Sequence, residues 1–164
     1  MIELIVLDVD GCMTDGSIIH TSNGDEIKSF NVKDGLAIAT WIKMGKKVAI
    51  ITGRNSKVVE KRAEELKVNY LYQGVDKKDV VLKEIVAKEG LNFNQVAVIG
   101  DDLNDYKMLS LVDMAFAPSD SSNLIHDVVN IFLNRAGGKG AIREMIEHIV
   151  RKENLLSEFL SHWR

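Results

Sequence analysis

Hydrophobic residues gather along this chain in short dense bursts, separated by longer stretches where they recur at every third or fourth position. The bursts cover residues 2–7, 47–51, 69–72, 95–99, 114–117 and 129–133. They have strand length, and most are rich in Val and Ile, which suit a pleated, buried surface. The stretches 35–44, 56–66, 79–89, 104–111 and 121–127 carry helical spacing, with Asn55, Ser56, Asp102 and Asn104 placed to cap helix starts. Strand alternating with helix predicts an α/β fold, a central parallel sheet covered by helices on both faces.

Two regions break the alternation. Between 16 and 30, Ser17-Ile18-Ile19-His20 and Glu26-Ile27-Lys28-Ser29-Phe30 flank Ser22-Asn23-Gly24-Asp25. Asn-Gly between such segments is a strong hairpin signal, so a small β-hairpin over about 16–31 is expected after the first strand. Near the C-terminus, Gly137-Gly138-Lys139-Gly140 precedes Ile142, Met145, Ile146, Ile149, Val150, Leu155, Leu156, Phe159, Leu160 and Trp163. That spacing predicts a long amphipathic helix with a break near Asn154.

The 164 residues are 46% hydrophobic and 27% charged, which lets one compact domain bury roughly 70% of its unfolded surface. A single proline and the lack of a Ser/Gly-rich tract leave no linker, so residues 1–164 read as one domain. The longest apolar run, 4–7, is far below the ~20 residues of a membrane span, and acidic Glu3 and Asp8 flank it. A soluble, cytoplasmic chain without a membrane partner is expected. Lys+Arg 21 against Asp+Glu 24 gives a net charge of −3, which argues against nucleic acid. The single cysteine, Cys12, excludes an internal disulfide and a Cys-rich zinc site.

In an open parallel sheet of this Rossmann-like kind, ligands bind beyond the carboxyl ends of the strands. The first strand runs into Asp8-Val9-Asp10-Gly11 and the second into Thr52-Gly53-Arg54-Asn55; the third is followed by Lys77-Lys78, the fourth by Gly100-Asp101-Asp102-Leu103-Asn104-Asp105. Asp8 and Asp10, two apart on an extended segment, can share a side, and folding brings Asp101 toward them. Gathered carboxylates repel unless a cation sits among them, and oxygen ligands alone favour a hard ion such as Mg2+. Lys78 and Thr52 add donors for phosphoryl oxygens. A carboxylate so placed can attack phosphorus to give an aspartyl-phosphate, while a second protonates the leaving oxygen and later deprotonates water. Singly, these pieces have ordinary explanations as a loop acid, a capped turn, an end-of-strand hydroxyl and a solvated lysine. Together at four strand ends they point to phosphoryl chemistry.

With these motifs in order over residues 8–105, the chain resembles the haloacid dehalogenase superfamily of phosphohydrolases. The resemblance implies Asp8 as nucleophile, Asp10 as general acid/base, and Thr52 and Lys78 as phosphate binders. It implies Mg2+ held by Asp8, Asp101 and the Asp10 backbone carbonyl, with support from Asp102 and Asp105. Many members carry a cap domain between motifs, but the intervals from Asp8 to Thr52 and from Thr52 to Lys78 are too short to hold one. Further wording, Phe30-Asn31-Val32-Lys33-Asp34-Gly35, Leu71-Tyr72-Gln73-Gly74 and Gly137-Gly138-Lys139-Gly140-Ala141-Ile142-Arg143-Glu144, is similar to the capless branch of 3-deoxy-D-manno-octulosonate 8-phosphate phosphatases. That likeness implies substrate contacts at Asp10, Asn31, Val32, Lys33, Asp34, Gly35, Arg54, Arg62 and Lys78. It implies a homotetramer joined through its hairpins, with neighbours covering each site, and a sugar-acid phosphate of lipopolysaccharide synthesis as substrate. Guanidinium forks suit such a ligand, which carries both a carboxylate and a phosphate. Lys139 and Arg143 either reach an adjoining subunit's site or belong to a solvated C-terminal face. Cys12 stands where the superfamily usually has Thr or Val. Ala39 stands where some close relatives carry an arginine, which keeps a nine-carbon keto sugar acid phosphate as an alternative.

Other chemistries fit less well. A thiol phosphatase needs an Arg six positions after its Cys, where this chain has Ile18, and Gly140 after Lys139 breaks the nucleotide phosphate-loop pattern. His20, His126, His148 and His162 lack metal-binding spacing. A signalling receiver places its acidic pair early and its phosphorylated Asp mid-chain, the reverse of the order here. A non-catalytic regulatory module would have no need of both Asp8 and Asp10.

Overall fold

All six apolar bursts become strands of one sheet in the computed structural model, which describes residues 1–164. In chain order the strands are β1 (Leu4–Leu7), the hairpin pair β2 (Ile19–His20) and β3 (Glu26–Ile27), β4 (Lys47–Ile51), β5 (Tyr70–Tyr72), β6 (Val96–Ile99), β7 (Met114–Ala117) and β8 (Ile131–Phe132). The main sheet is parallel throughout, in the order β5-β4-β1-β6-β7-β8. The helices are α1 (Val32–Lys43), α2 (Lys57–Leu66), α3 (Lys78–Glu89), α4 (Tyr106–Leu109), α5 (Ala141–Lys152) and α6 (Leu156–Ser161).

Period-two alternation sends Ile5, Leu7, Val48, Ile50, Ala97, Ile99 and Phe116 to one face, against α1, α2, α5 and α6. Leu4, Val6, Ala49, Ile51, Val96, Val98 and Ala115 face the other way, against α3 and α4. Both faces are apolar because both are covered, as an all-parallel sheet requires. Leu7 stands opposite both Ile50 and Ile99, so the chain leaves the three central strands nearly level. From β1 it winds outward through β4 and β5, then returns through α3 to β6 on the other side of β1. The reversal opens a crevice at the carboxyl ends of β1 and β6.

Several boundaries differ from the sequence pattern for identifiable reasons. The first helix starts at Val32 because Asn31 caps it, its side-chain oxygen accepting the N–H groups of Lys33 and Asp34 at 2.9 and 3.3 Å. Residues 121–127, expected as a helix, form the 3-10 run Asn123–Val128, in which only Ile125 is buried and so only one side chain anchors it. Asp102, not Asn104, caps a short 3-10 turn ahead of α4. The terminal helix breaks where expected: Asn154 adopts a left-handed φ of 61° between α5 and α6. The hairpin forms with Ile19 opposite Ile27 and His20 opposite Glu26. Its loop is a turn over Thr21–Gly24 with Gly24 at φ 83°, the bulged three-residue variant that places a single glycine in the left-handed region. No helix is long and apolar enough to cross a membrane.

Candidate active site

The chain leaves β1 still extended at Asp8 (φ −77°, ψ 157°). It then makes one wide turn over Val9–Met13, within which Asp10 keeps the expected extended backbone (φ −74°, ψ 111°). Gly11, at φ 93°, makes the turn possible, and a Cβ there would lie 1.9 Å from Asp101 Oδ2. Thr14 Oγ1 accepts the N–H of Gly11 at 3.3 Å and of Gly16 at 3.2 Å, closing the turn. The Gly137-Gly138 pair packs over it: a Cβ at Gly137 would fall 1.9 Å from the Gly11 carbonyl, and Gly138 N–H donates to the Cys12 carbonyl at 3.0 Å.

Asp8 is buried beneath Lys78, the first residue of α3, whose ammonium donates to Asp8 Oδ1 and to Asp105 Oδ1, each at 2.6 Å. An ammonium has three donors, so one remains for a ligand. Asp105 Oδ2 accepts the Asp101 N–H at 2.9 Å and thereby fixes the loop after β6. Thr52 is buried at the end of β4, its N–H bonded to the Tyr72 carbonyl at 3.0 Å. Asp102 is exposed, and its carboxylate caps Leu103 N–H at 2.8 Å.

Burial works against charge on Lys78, but Asp8 and Asp105 overcome it and raise its pKa above the ordinary value. Burial, and after it Asp105, pushes the Asp8 carboxyl well above its usual range in spite of Lys78. The same two causes push Asp101 up to about 7. Three acids thus share one ammonium, which leaves two negative charges without a partner when all are ionised. The carboxylate oxygens of Asp8 and Asp101 approach to within 4.8 Å of each other and of Cys12 Sγ. This excess of converging oxygens fits a hard divalent cation. The Cys12 thiol is pushed up by burial and then by Asp8, so it stays protonated and is no competing nucleophile.

Two residues that the sequence pattern assigned only to the hairpin enter the site from it. Lys28 Nζ donates to Asp10 Oδ1 at 2.5 Å and lies 3.1 Å from Glu26 Oε1. Glu26 Oε2 accepts Arg54 NH2 at 3.2 Å, and Arg54 Nε lies 4.0 Å from Asp10 Oδ2. Burial opposes charge on Glu26, yet Lys28 and then Ser56 and Arg54 hold its carboxyl below the usual range. Lys28 carried no sequence signal, because its meaning depends on which way the hairpin folds.

The residues expected to contact substrate divide in two. Asp10, Arg54 and Lys78 stand at the crevice with Asp8. Asn31, Val32 and Lys33 instead line a cavity of about 660 Å³ with Arg135, Lys139 and Arg143, a groove that Asp8, Asp10, Thr52 and Lys78 do not line. Asp34 and Gly35 lie beside this second group: Asp34 Oδ1 accepts Arg143 N–H at 2.8 Å, and the Arg62 guanidinium fills the space a Cβ on Gly35 would need. Arg62 also pairs with Glu65 at 3.4 Å and covers the Phe30 ring at 5.6 Å.

The model of the haloacid dehalogenase-like hydrolase family matches residues 25–113, more than half of the chain. The chain belongs to this family. It is 37% identical over 157 residues, 96% of its length and 84% of the relative's, to the 3-deoxy-D-manno-octulosonate 8-phosphate phosphatase KdsC of Escherichia coli K12. The crystal structure of the Yersinia pestis phosphatase of the same name superposes with a TM-score of 0.92 at 39% identity, over 95% of this chain and 84% of that one. The Moraxella catarrhalis phosphatase, solved with a magnesium ion, a phosphate ion and a KDO molecule, gives 0.95 at 36% identity, over 99% and 94%. The six-stranded parallel sheet with its small hairpin is the fold these phosphatases share with this hydrolase.

Proposed function

We propose that this chain hydrolyses 3-deoxy-D-manno-octulosonate 8-phosphate to the free sugar acid and phosphate, as a Mg2+-dependent phosphomonoesterase of lipopolysaccharide synthesis acting in the cytoplasm. The observation that carries the proposal is the buried Asp8 carboxylate, held by Lys78 at 2.6 Å and converging with Asp101, in a chain so similar to phosphatases of that name.

Asp8 attacks phosphorus. Lys78 engages its Oδ1, which leaves Oδ2 for the in-line displacement that forms an aspartyl-phosphate. The third Lys78 donor and the Thr52 hydroxyl take phosphoryl oxygens. Asp10 gives a proton to the departing ester oxygen and then removes one from the water that cleaves the acyl phosphate, each assist worth about 10²–10⁴-fold. Asp8, Asp101 and the Asp10 backbone carbonyl would hold Mg2+, which when bound neutralises charge among the carboxylates and on the phosphoryl oxygens. Asp105 serves by placing Lys78 and the Asp101 backbone, and Asp102 as a cap.

Residues 1–164 form one hydrolase domain in this proposal, and four copies assemble. Ile18, Ile19 and Ile27 leave the hairpin 45%, 43% and 48% exposed, an apolar surface suited to other hairpins. The groove bearing Asn31, Val32, Lys33, Lys139 and Arg143 then serves a neighbour's substrate, with Asp34, Gly35 and Arg62 behind it.

Steady-state rates over a panel of sugar phosphates, including the eight-carbon ester and a nine-carbon keto acid analogue, test the substrate. The eight-carbon ester is expected to have the highest kcat/KM, and chelator is expected to stop turnover. Preference for the nine-carbon ester would replace the substrate. Full activity of Asp8→Asn, or product release without an acid-trapped phosphoenzyme, would overturn the chemistry.

A further inference from the structure

We propose that Lys28, at the end of the hairpin, is a positioning residue that fixes the Asp10 carboxylate for proton transfer. It rests on the role proposed above for Asp10.

The Lys28 side chain is only 1% exposed, although the hairpin around it projects from the sheet and leaves its isoleucines in the open. Hiding an ammonium costs several kcal/mol unless partners compensate, so this position is specified by what it touches. Nothing within the turn Val9–Met13 holds the Asp10 side chain. Its carboxylate takes one hydrogen bond in the whole chain, from Lys28 Nζ to Oδ1 at 2.5 Å, with Arg54 Nε 4.0 Å from Oδ2. An Asp side chain turns about two bonds, and a proton donor must come within hydrogen-bond reach of its acceptor. With Oδ1 anchored, Oδ2 is the atom left to face the ester oxygen, and the proton moves from Oδ2 to that oxygen as the P–O bond breaks.

Glu26 braces the arrangement from the same arm of the hairpin. It binds Lys28 through Oε1 and Arg54 through Oε2, so that Asp10, Lys28, Glu26 and Arg54 form a ring of alternating charge. A side chain so enclosed does not reach substrate. Lys28 therefore acts through Asp10, and the hairpin, too small to exclude water by itself, contributes by aligning the acid.

Leaving-group dependence separates alignment from general damage. Phenyl phosphate and p-nitrophenyl phosphate have the same charge and nearly the same size, but only the phenyl ester needs much proton assistance to leave. With Mg2+ present, Lys28→Met is expected to lower kcat/KM for phenyl phosphate about 10-fold or more, and for p-nitrophenyl phosphate less than about 3-fold, within the range of a general-acid assist. Lys28→Arg is expected to recover most of the loss. Equal losses on both esters, no loss on either, or an arginine variant no better than methionine would overturn the proposal. Asp10→Asn is measured alongside. If it shows the selective loss and Lys28→Met does not, only the role of Lys28 falls; if Asp10→Asn shows none, the proton-transfer role of Asp10 falls as well.

Discussion

Lys78 is where charge, burial and chemistry meet in a single side chain. It sits between Asp8 and Asp105 with 2.6 Å contacts to each, all three out of water. Removing one partner of a buried ion pair exposes the other to its full desolvation cost, about 3–5 kcal/mol. Lys78→Met is accordingly expected to lose about that much stability in denaturant melts run in chelator, and to regain part of it in Mg2+. A melt unchanged from wild type would show that the acids relax without it. Asp101 gives the cation dependence its sign. Its carboxyl holds a proton up to about pH 7, so metal uptake displaces that proton and strengthens as pH rises through this value. The Mg2+-induced rise in Tm is therefore expected to be larger at pH 8 than at pH 6, and equal rises would contradict it. At this scale the sequence placed Asp8, Asp10, Thr52, Lys78 and Asp101 at or just beyond strand ends, and strand ends of a parallel sheet converge by topology. It was silent on Asp105 as a brace and on Lys28, whose partners are 27 and 18 positions away.

Contacts between elements explain residues that motifs alone leave ambiguous. Asp34, in the first turn of α1, accepts the Arg143 N–H at the start of α5, while its Oδ2 is buried without a partner. Burial raises its carboxyl from 3.8 to about 6, against the pull of Arg143 and Arg62. The folded state therefore binds this proton more tightly than the unfolded chain. The contribution to stability is fully present below about pH 4 and is lost as pH rises through 6. Asp34→Asn removes the penalty, so it is expected to stabilise the chain by about 1–2 kcal/mol at pH 8 and to change little at pH 4. Denaturant midpoints at the two pH values check this, and a pH-independent difference would refute it. The helix and strand pattern anticipated α1 and α5 but not their contact. The loss of helix over 121–127 had the same origin: spacing was present, but only Ile125 found a core to enter.

For the molecule as a whole, assembly is the property that one chain leaves to its neighbours. The exposed Ile18, Ile19 and Ile27 lie on the hairpin that also carries Glu26 and Lys28 into the crevice. If the proposed tetramer forms through the hairpins, Ile19→Glu combined with Ile27→Lys is expected to shift light scattering from that tetramer to monomer and to lower kcat/KM for the sugar-acid phosphate at least 10-fold, since about 1.4 kcal/mol of lost substrate contact is enough for that. A fully active monomer would remove the shared-site proposal.

Alternating apolar bursts and helical spacing determined the parallel sheet, its two covered faces and the acids at its strand ends, because these depend on local period and chain order. Partners distant in sequence were decided only on folding: the wide turn after Asp8, the bracing of Lys78 by Asp105, the reach of Lys28 to Asp10, and the separation of Asn31, Val32 and Lys33 from the crevice. Periodicity says which face of an element is buried, but not which side chain across the fold will meet it there. That is fixed by register, by glycines that permit close approach, and by the need of each buried charge for an opposite one.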